Sequence, residues 1–314
     1  MNEPIIFEPL FMERVWGGRQ IETVFHKALP PATRIGESWE IVDREEAQSV
    51  VHAGPLKGMT LHELWTDCGE PVFGRNFSRA PRFPLLVKLL DSQERLSVQV
   101  HPPAAVAAEL HGEPKTEMWY VADTHLDSDI FAGLKRGVGR AEFERALEKG
   151  DVSDKLHRIE VKPGDAIFIP SGRVHAIGAG NLIVEIQQNS DTTYRVFDWN
   201  RVGLDGKARQ LHIQESLKSI DFDDVEPSLL TPAGELIVEC DFFRIDKWKL
   251  ERRREACPPG GFAIFTCLEG EVECSGRRFQ PGDFFLVSAS QEDRAVVPAG
   301  PSASVLRTTI PAGP

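Results

Sequence analysis

The 314-residue sequence predicts a mostly β fold: two related jelly-roll-like β-barrels, the second degenerate, with a few short helices. Three observations predict it. Short runs rich in β-branched and aromatic residues sit between proline and glycine punctuation along the whole chain. Helical periodicity is rare. A stretch also recurs, because KPGDAIFIPSGRVHAI (162–177) resembles QPGDFFLVSASQEDRAV (280–296). Each copy runs proline, glycine, aspartate, an apolar strand and a polar turn, and only the first delivers a histidine.

The expected strands are FPLLVKLL (83–90), LSVQV (96–100), EMWYVA (117–122), DAIFIP (165–170), NLIVEIQQ (181–188), FFRIDKW (242–248), FAIFTCL (262–268) and DFFLVS (283–288). The expected helices are AAVAAELH (104–111), RAEFERALEK (140–149) and LHIQESLKSI (211–220). The acidic, proline-bearing DFDDVEPSLLTPAGE (221–235) reads as a connector. It divides the chain into a catalytic domain at 1–225 and a degenerate barrel at 226–314.

Composition narrows the function. A net charge of −12 argues against nucleic acid or an anionic membrane as the partner, while leaving room for a small anion held by local Lys and Arg. No run approaches the roughly 18 apolar residues of a membrane span. The start, MNEPIIFEPL, lacks the basic and apolar regions of a signal peptide. Five cysteines without a CxxC pair read as reduced thiols, so a cytoplasmic protein is expected. Cys267 and Cys274 flank the LEGEVE turn, and the compartment argues against a bond between them.

Chemistry concentrates in LSVQVH (96–101). Strand alternation puts Leu96, Val98 and Val100 on one face and Ser97, Gln99 and His101 on the other. The spacing Gly164-x5-Pro170-x-Gly172-x2-His175 reproduces the motif of cupin barrels. The glycines serve turns, Pro170 ends a strand, and His175 enters the next one pointing inward. The other cupin motif, usually His-x-His and a glutamate, is matched by Gln99-x-His101 and Glu117. Gln99 and His101 lie about 7 Å apart on one strand face. Two imidazoles, a carboxylate and an amide suit one Zn²⁺ per chain with an open position, and Fe²⁺, Mn²⁺ or Co²⁺ are also accommodated. The bland reading is a pair of hydrogen-bonded barrel histidines; several ligand types at motif spacing favour a metal. The other seven histidines have no such context.

Longer blocks extend the pattern. WGG (16–18), GESWEIVD (36–43), PLLVKLLDSQERLSVQVHP (84–102), KTEMWYV (115–121), PGDAIFIPSGRVHAIGAG (163–180) and VEIQQNSDTTYRVFDW (184–199) closely resemble type I mannose-6-phosphate isomerases, in order, over most of the first 215 residues. The chain has no room for the helical insertion of the longer members, so it resembles the short bacterial form. The resemblance implies Zn²⁺-dependent interconversion of D-mannose 6-phosphate and D-fructose 6-phosphate through an enediol. It carries the metal ligands onto Gln99, His101, Glu117 and His175, with Gln99 either a ligand or a neighbour of the metal. It carries the functional lysines onto Lys88 and Lys115, the catalytic arginine onto Arg195 and an associated aspartate onto Asp191. An alternative for Arg195 is a simple ion pair with Asp191.

Isomerisation needs a proton shuttle, an electrophile and a phosphate clamp. Lys88 shares a strand face with Leu86 and Leu90, so it either snorkels from an edge or enters a cavity, as a base or a phosphate ligand. Glu185, inward if Val184 and Ile186 are outward, is the second candidate base. Ser97 and Lys115 are the expected phosphate-side residues, and Trp16, Trp39 and Trp119 either wall the sugar or join the core. The expected partner is a small phosphosugar, and the chain is expected to act as a monomer or homodimer. The competing readings are an iron-dependent cupin dioxygenase, an isomerase of a related phosphosugar, and a non-catalytic sugar-phosphate-binding cupin. Retention of every ligand and of Arg195 argues against the last.

Overall fold

Four β-sheets stack as layers in the computed structural model, which describes residues 2–75, 77 and 80–311. The first sheet has six strands in the order β1 (Leu10–Gly18), β2 (Ile35–Ile41), β3 (Leu85–Ser92), β10 (Asn181–Gln188), β5 (Glu117–Thr124) and β8 (Ala166–Ile169). The second has β11 (Tyr194–Phe197), β4 (Val98–Val100), β9 (His175–Ile177), β6 (Asp129–Leu134) and β7 (Leu156–Glu160). The third has β12 (Leu236–Glu239), β13 (Arg244–Leu250), β20 (Ala303–Thr309), β15 (Ala263–Glu269) and β18 (Phe284–Val287). The fourth has β14 (Arg254–Glu255), β19 (Ala295–Pro298), β16 (Val272–Cys274) and β17 (Arg277–Phe279). All pairings between these strands are antiparallel.

The core explains the apolar strands. Trp16, Leu90, Trp119, Ile167 and Ile183 of the first sheet pack on Ile130, Ala132 and Ile177 of the second. The other face of the first sheet, through Leu85, Val87, Leu89, Val184 and Ile186, packs on Ile245, Ile264, Leu286 and Leu306 of the third. All eight residues of β3 are therefore buried, and LLVKLL lacks alternation because water touches neither face. A separate core around Trp248, Phe265, Phe285 and Val296 joins the third and fourth sheets. The repeated half thus packs on the first through its third sheet. Ile5 also bridges to Leu286, so the N-terminal segment is stitched into that second half.

The expected strands all form, and RAEFERALEK is helix α5 (Arg140–Lys149). The helix expected at 104–111 shortens to α4 (Ala104–Ala107), and that at 211–220 becomes α6 (Ile213–Ser219). Three short helices escape the sequence reading: α1 (Gln20–Thr23), α2 (Leu61–Asp67) and α3 (Gly69–Phe73). Such short helices are held by tertiary burial rather than propensity. Ile21, Leu61, Leu64, Trp65 and Phe73 fill the core shared by the first and third sheets. A capping box starts α2, with Glu63 N–H donating to Thr60 Oγ1 and Thr60 N–H to Glu63 Oε2.

The WGG stretch has a steric reason. A Cβ on Gly17 would lie 2.4 Å from the backbone nitrogen of Gly36, where the β1–β2 register slips. Gly17→Ala is expected to cost roughly 1–3 kcal/mol, since backbone must move to admit a methyl group. Urea denaturation of the two proteins measures this, and an unchanged midpoint would refute the close approach.

Candidate metal centre

Two rows of residues face each other across the first pair of sheets. In the first sheet, register aligns Trp39, Lys88, Glu185 and Trp119 on β2, β3, β10 and β5. In the second sheet, register aligns Arg195, Gln99 and His175 on β11, β4 and β9. Strand alternation turns each row inward, as the sequence suggests for Lys88 and Glu185. The turn before β9 is set by Gly172, whose φ of +93° is glycine territory, and it brings His175 beside Gln99.

At one end of this space His101, Glu117 and His175 converge, with their donor atoms all within 4.8 Å of one another. His101 Nε2 lies 3.5 Å from Glu117 Oε2, and His175 Nε2 lies 3.6 Å from Oε1. All three residues are buried to within 1% of complete. Each imidazole places Nδ1 against a backbone carbonyl, His101 on Thr192 at 2.8 Å and His175 on Arg173 at 2.9 Å. An Nδ1–H that donates there leaves the Nε2 lone pair aimed at the cluster. His101 Nε2 and Glu117 Oε1 are buried and receive no well-formed hydrogen bond among the described residues. Buried polar atoms left so are costly unless something fills the space between them. A divalent cation fits that requirement.

The protonation states suit ligation. Burial pushes the His175 imidazole down to about 3, and the adjacent His101 adds to the shift. Burial, then the Lys115 ammonium, lowers His101 as well. Burial works to raise Glu117, but Lys115 at 3.1 Å and the two imidazoles outweigh it and hold the carboxylate well below its usual range. Two neutral imidazoles and one carboxylate make a borderline donor set. Gln99 adds its amide, with Nε2 at 3.2 Å from His175 Nε2. Amide oxygen and nitrogen are interchangeable in such an assignment, so the oxygen can be turned to the same point.

Beside the triad lies a cavity of about 310 Å³. It is lined by Lys88, Ser97, Gln99, Lys115, Glu185, Asp191 and Arg195, so it gathers the substrate-side residues expected from sequence. Lys88 does not snorkel. Its ammonium sits inside, 3.6 Å from Glu185, 3.8 Å from Glu37 and 3.9 Å from Asp191, and 4.8 Å from the Trp39 ring centre. Glu185 Oε1 accepts a hydrogen bond from Trp119 Nε1 at 3.0 Å. Burial, and then the charge of Glu117, raises the Glu185 carboxyl. Ser97 Oγ lies 3.5 Å from Gln99 Oε1. Arg195 pairs with the Gln210 carbonyl at 2.9 Å, and Asp191 faces Lys88 instead, which corrects the alternative of an Arg195–Asp191 bridge. Arg195 Nε is buried without a well-formed partner among the described residues. Trp16 lines the cavity, Trp39 flanks Lys88, and Trp119 meets His175 edge-on at 5.3 Å.

Arg14, Glu37 and Arg209 also line the space and were not foreseen. Glu37 shares a β2 face with Trp39, so alternation within GESWE was a usable signal. Arg209 arrives on the loop after β11, where no periodicity exists to read. Its guanidinium is clamped to Asp198, and it crowds Arg195, which burial and that neighbour together push down. The cavity therefore carries five cations against three carboxylates (Glu37, Glu185 and Asp191) in a chain of net charge −12.

Glu37 supports Lys88 from behind. It accepts hydrogen bonds from Arg14 Nε at 2.9 Å and Trp39 Nε1 at 2.6 Å. Burial opposes its ionisation, but Lys88, Arg14 and these donors hold it at about 2 against an ordinary 4.5. A depressed carboxyl contributes stability above pH 4.5 that is lost as pH falls toward 2. Glu37→Gln is expected to flatten that slope. Urea denaturation from pH of about 6 down to about 2.5 tests it, and parallel curves for both proteins would refute it.

A family model for the type I phosphomannose isomerase catalytic domain matches residues 6–126. Mannose-6-phosphate isomerase ManA of Bacillus subtilis is 39% identical over 301 residues, covering 91% of this chain and 93% of that protein. A mannose-6-phosphate isomerase of Streptococcus mutans is 36% identical, covering 86% of each chain. The crystal structure of a Bacillus subtilis mannose 6-phosphate isomerase superposes with a TM-score of 0.87 at 32% identity, over 98% of this chain and 100% of that one. Among the described residues no helix is long and apolar enough to cross a membrane.

Proposed function

This chain belongs to the type I phosphomannose isomerase family, and from that premise we propose that it interconverts D-mannose 6-phosphate and D-fructose 6-phosphate. The observation that carries the reading is the junction of a buried His101–Glu117–His175 cluster with a cavity rich in cations. A metal-assisted aldose–ketose isomerase of a phosphosugar needs both in one place. The metal is Zn²⁺ in this reading, held by His101, Glu117 and His175 with Gln99 as the fourth, adaptable donor. When bound it supplies Lewis-acid polarisation of the sugar oxygens at C1 and C2.

The chain's own residues do the rest. Glu185 takes the proton from C2 of the aldose and returns one to C1 of the enediol. Its place in the cavity, hydrogen-bonded to Trp119 and beside Lys88, fits a group that must both accept and give a proton. Lys88 is a charged partner that orients Glu185 and faces the sugar hydroxyls. Lys115 holds Glu117 ionised and presents its remaining hydrogens to the substrate. Arg195, with Arg209 behind it, and Ser97 hold the phosphate; a guanidinium fork suits that planar recognition. Asp191 accepts a sugar hydroxyl. Residues 1–225 form the catalytic unit and 226–314 back it.

Purified protein is expected to convert mannose 6-phosphate to fructose 6-phosphate, to lose the activity on chelation and to regain it with Zn²⁺. Fully metallated, folded protein without activity would overturn the substrate assignment. Glu185→Gln is expected to lower kcat by roughly 10²–10⁴-fold with KM and metal content little changed. A variant that keeps its kcat would move the proton shuttle to another residue.

A further inference from the structure

The second pair of sheets holds a basic cavity that the isomerase reaction leaves unused. It measures about 840 Å³ and is lined from both the third and the fourth sheet. β13 contributes Arg244 and Trp248, β20 contributes Arg307, β14 contributes Arg254, and Arg294 stands immediately before β19. Arg294 lies in the repeat stretch that, in the first half of the chain, delivers His175. The second-half repeat stretch carries no histidine, and Arg294 stands just before β19 where His175 opens β9.

The arginines are pre-set. The Arg254 guanidinium lies 3.6 Å from the Trp248 ring centre, and Arg307 lies 5.1 Å from it. Arg307 Nη1 donates to Asp246 at 2.9 Å and its Nε to the Ala256 carbonyl at 2.6 Å. Arg254 is held by both oxygens of Glu235 at 2.6 and 2.8 Å. These contacts fix the planes of the guanidinium groups and pair three of the four with carboxylates, Arg254 with Glu235, Arg307 with Asp246, and Arg244 with Asp246 and Glu239. Among the described residues Arg294 has no carboxylate partner, and its Nη1 donates to the Pro258 carbonyl at 3.1 Å. Its Nε is fully buried and has no hydrogen-bond partner among the described residues. A charged donor left in that state is costly until an acceptor arrives.

We propose that this cavity binds a phosphomonoester at a site separate from the isomerase centre. Its volume falls in the range of small-molecule sites. Rigid guanidinium forks converging from two sheets match a dianion with several acceptor oxygens better than a single carboxylate.

The test is calorimetric titration of the zinc-loaded enzyme with inorganic phosphate at constant ionic strength set by chloride. Arg294→Glu is expected to weaken one binding event by about tenfold or more, while kcat/KM for isomerisation stays within about twofold of wild type. Arg254→Ala is expected to weaken the same event and decides the matter if Arg294→Glu fails to fold by circular dichroism. Identical phosphate titrations for wild type and the folded variants would overturn the proposal. So would an acetate titration that reproduces the Arg294-dependent event at equal affinity. The readout is binding rather than turnover, so it stands even where the isomerase assignment fails.

Discussion

Glu117 is ionised, fully buried and flanked by two neutral imidazoles. A lone buried carboxylate costs several kcal/mol unless charge and hydrogen bonds answer it. Lys115 supplies one positive partner, and the cluster's remaining lone pairs ask for a second. Much of the architecture around the site follows from meeting that demand. The first sheet must deliver Glu117 at the start of β5, with Lys115 in the segment just before it. The second must deliver His175 at the start of β9 and His101 immediately after β4, at the facing position. The carbonyls of Thr192 and Arg173 must then fix the rings so that both Nε2 atoms point inward.

Such alignment requires rigid sheets, and the layer order provides them. The first sheet is covered on one side by the second and on the other by the third. Its central strands β3, β10 and β5 are therefore almost wholly buried. The second half of the chain, which carries no histidine, covers the far face of the first sheet. The cost of carrying Lys88, Glu185 and Glu117 inside is offset because every one of them has an opposite charge within 4 Å. Their network links the carboxylates of β2, β5 and β10 to the ammonium groups of Lys88 on β3 and Lys115 just before β5, so substitutions within it will couple.

Alternation and motif spacing made much of this legible. Lys88, Ser97, Gln99, Lys115, Glu117 and Glu185 could be placed on strand faces because a strand has only two faces. His101 and His175 could be joined because the turn chemistry of Gly164, Pro170 and Gly172 is written in residue types. The helices α1 to α3 and the cations Arg14 and Arg209 were not legible. Short helices form only where a core accepts their apolar side, and Arg14 on β1 and Arg209 in its loop take their direction from partners on other segments, Glu37 and Asp198.

By itself, then, the sequence determined the β-rich class, the repeated half with its lost histidine, the metal-type donors and the family resemblance, since all of these are carried by local period and spacing. Tertiary structure alone decided which charges face which. Arg195 leaves Asp191 to Lys88, Lys115 turns to Glu117, Glu37 backs Lys88, and four arginines gather in the second half of the chain. Those choices depend on strand register and on contacts between residues up to about a hundred positions apart, and neither quantity is contained in any short window of sequence.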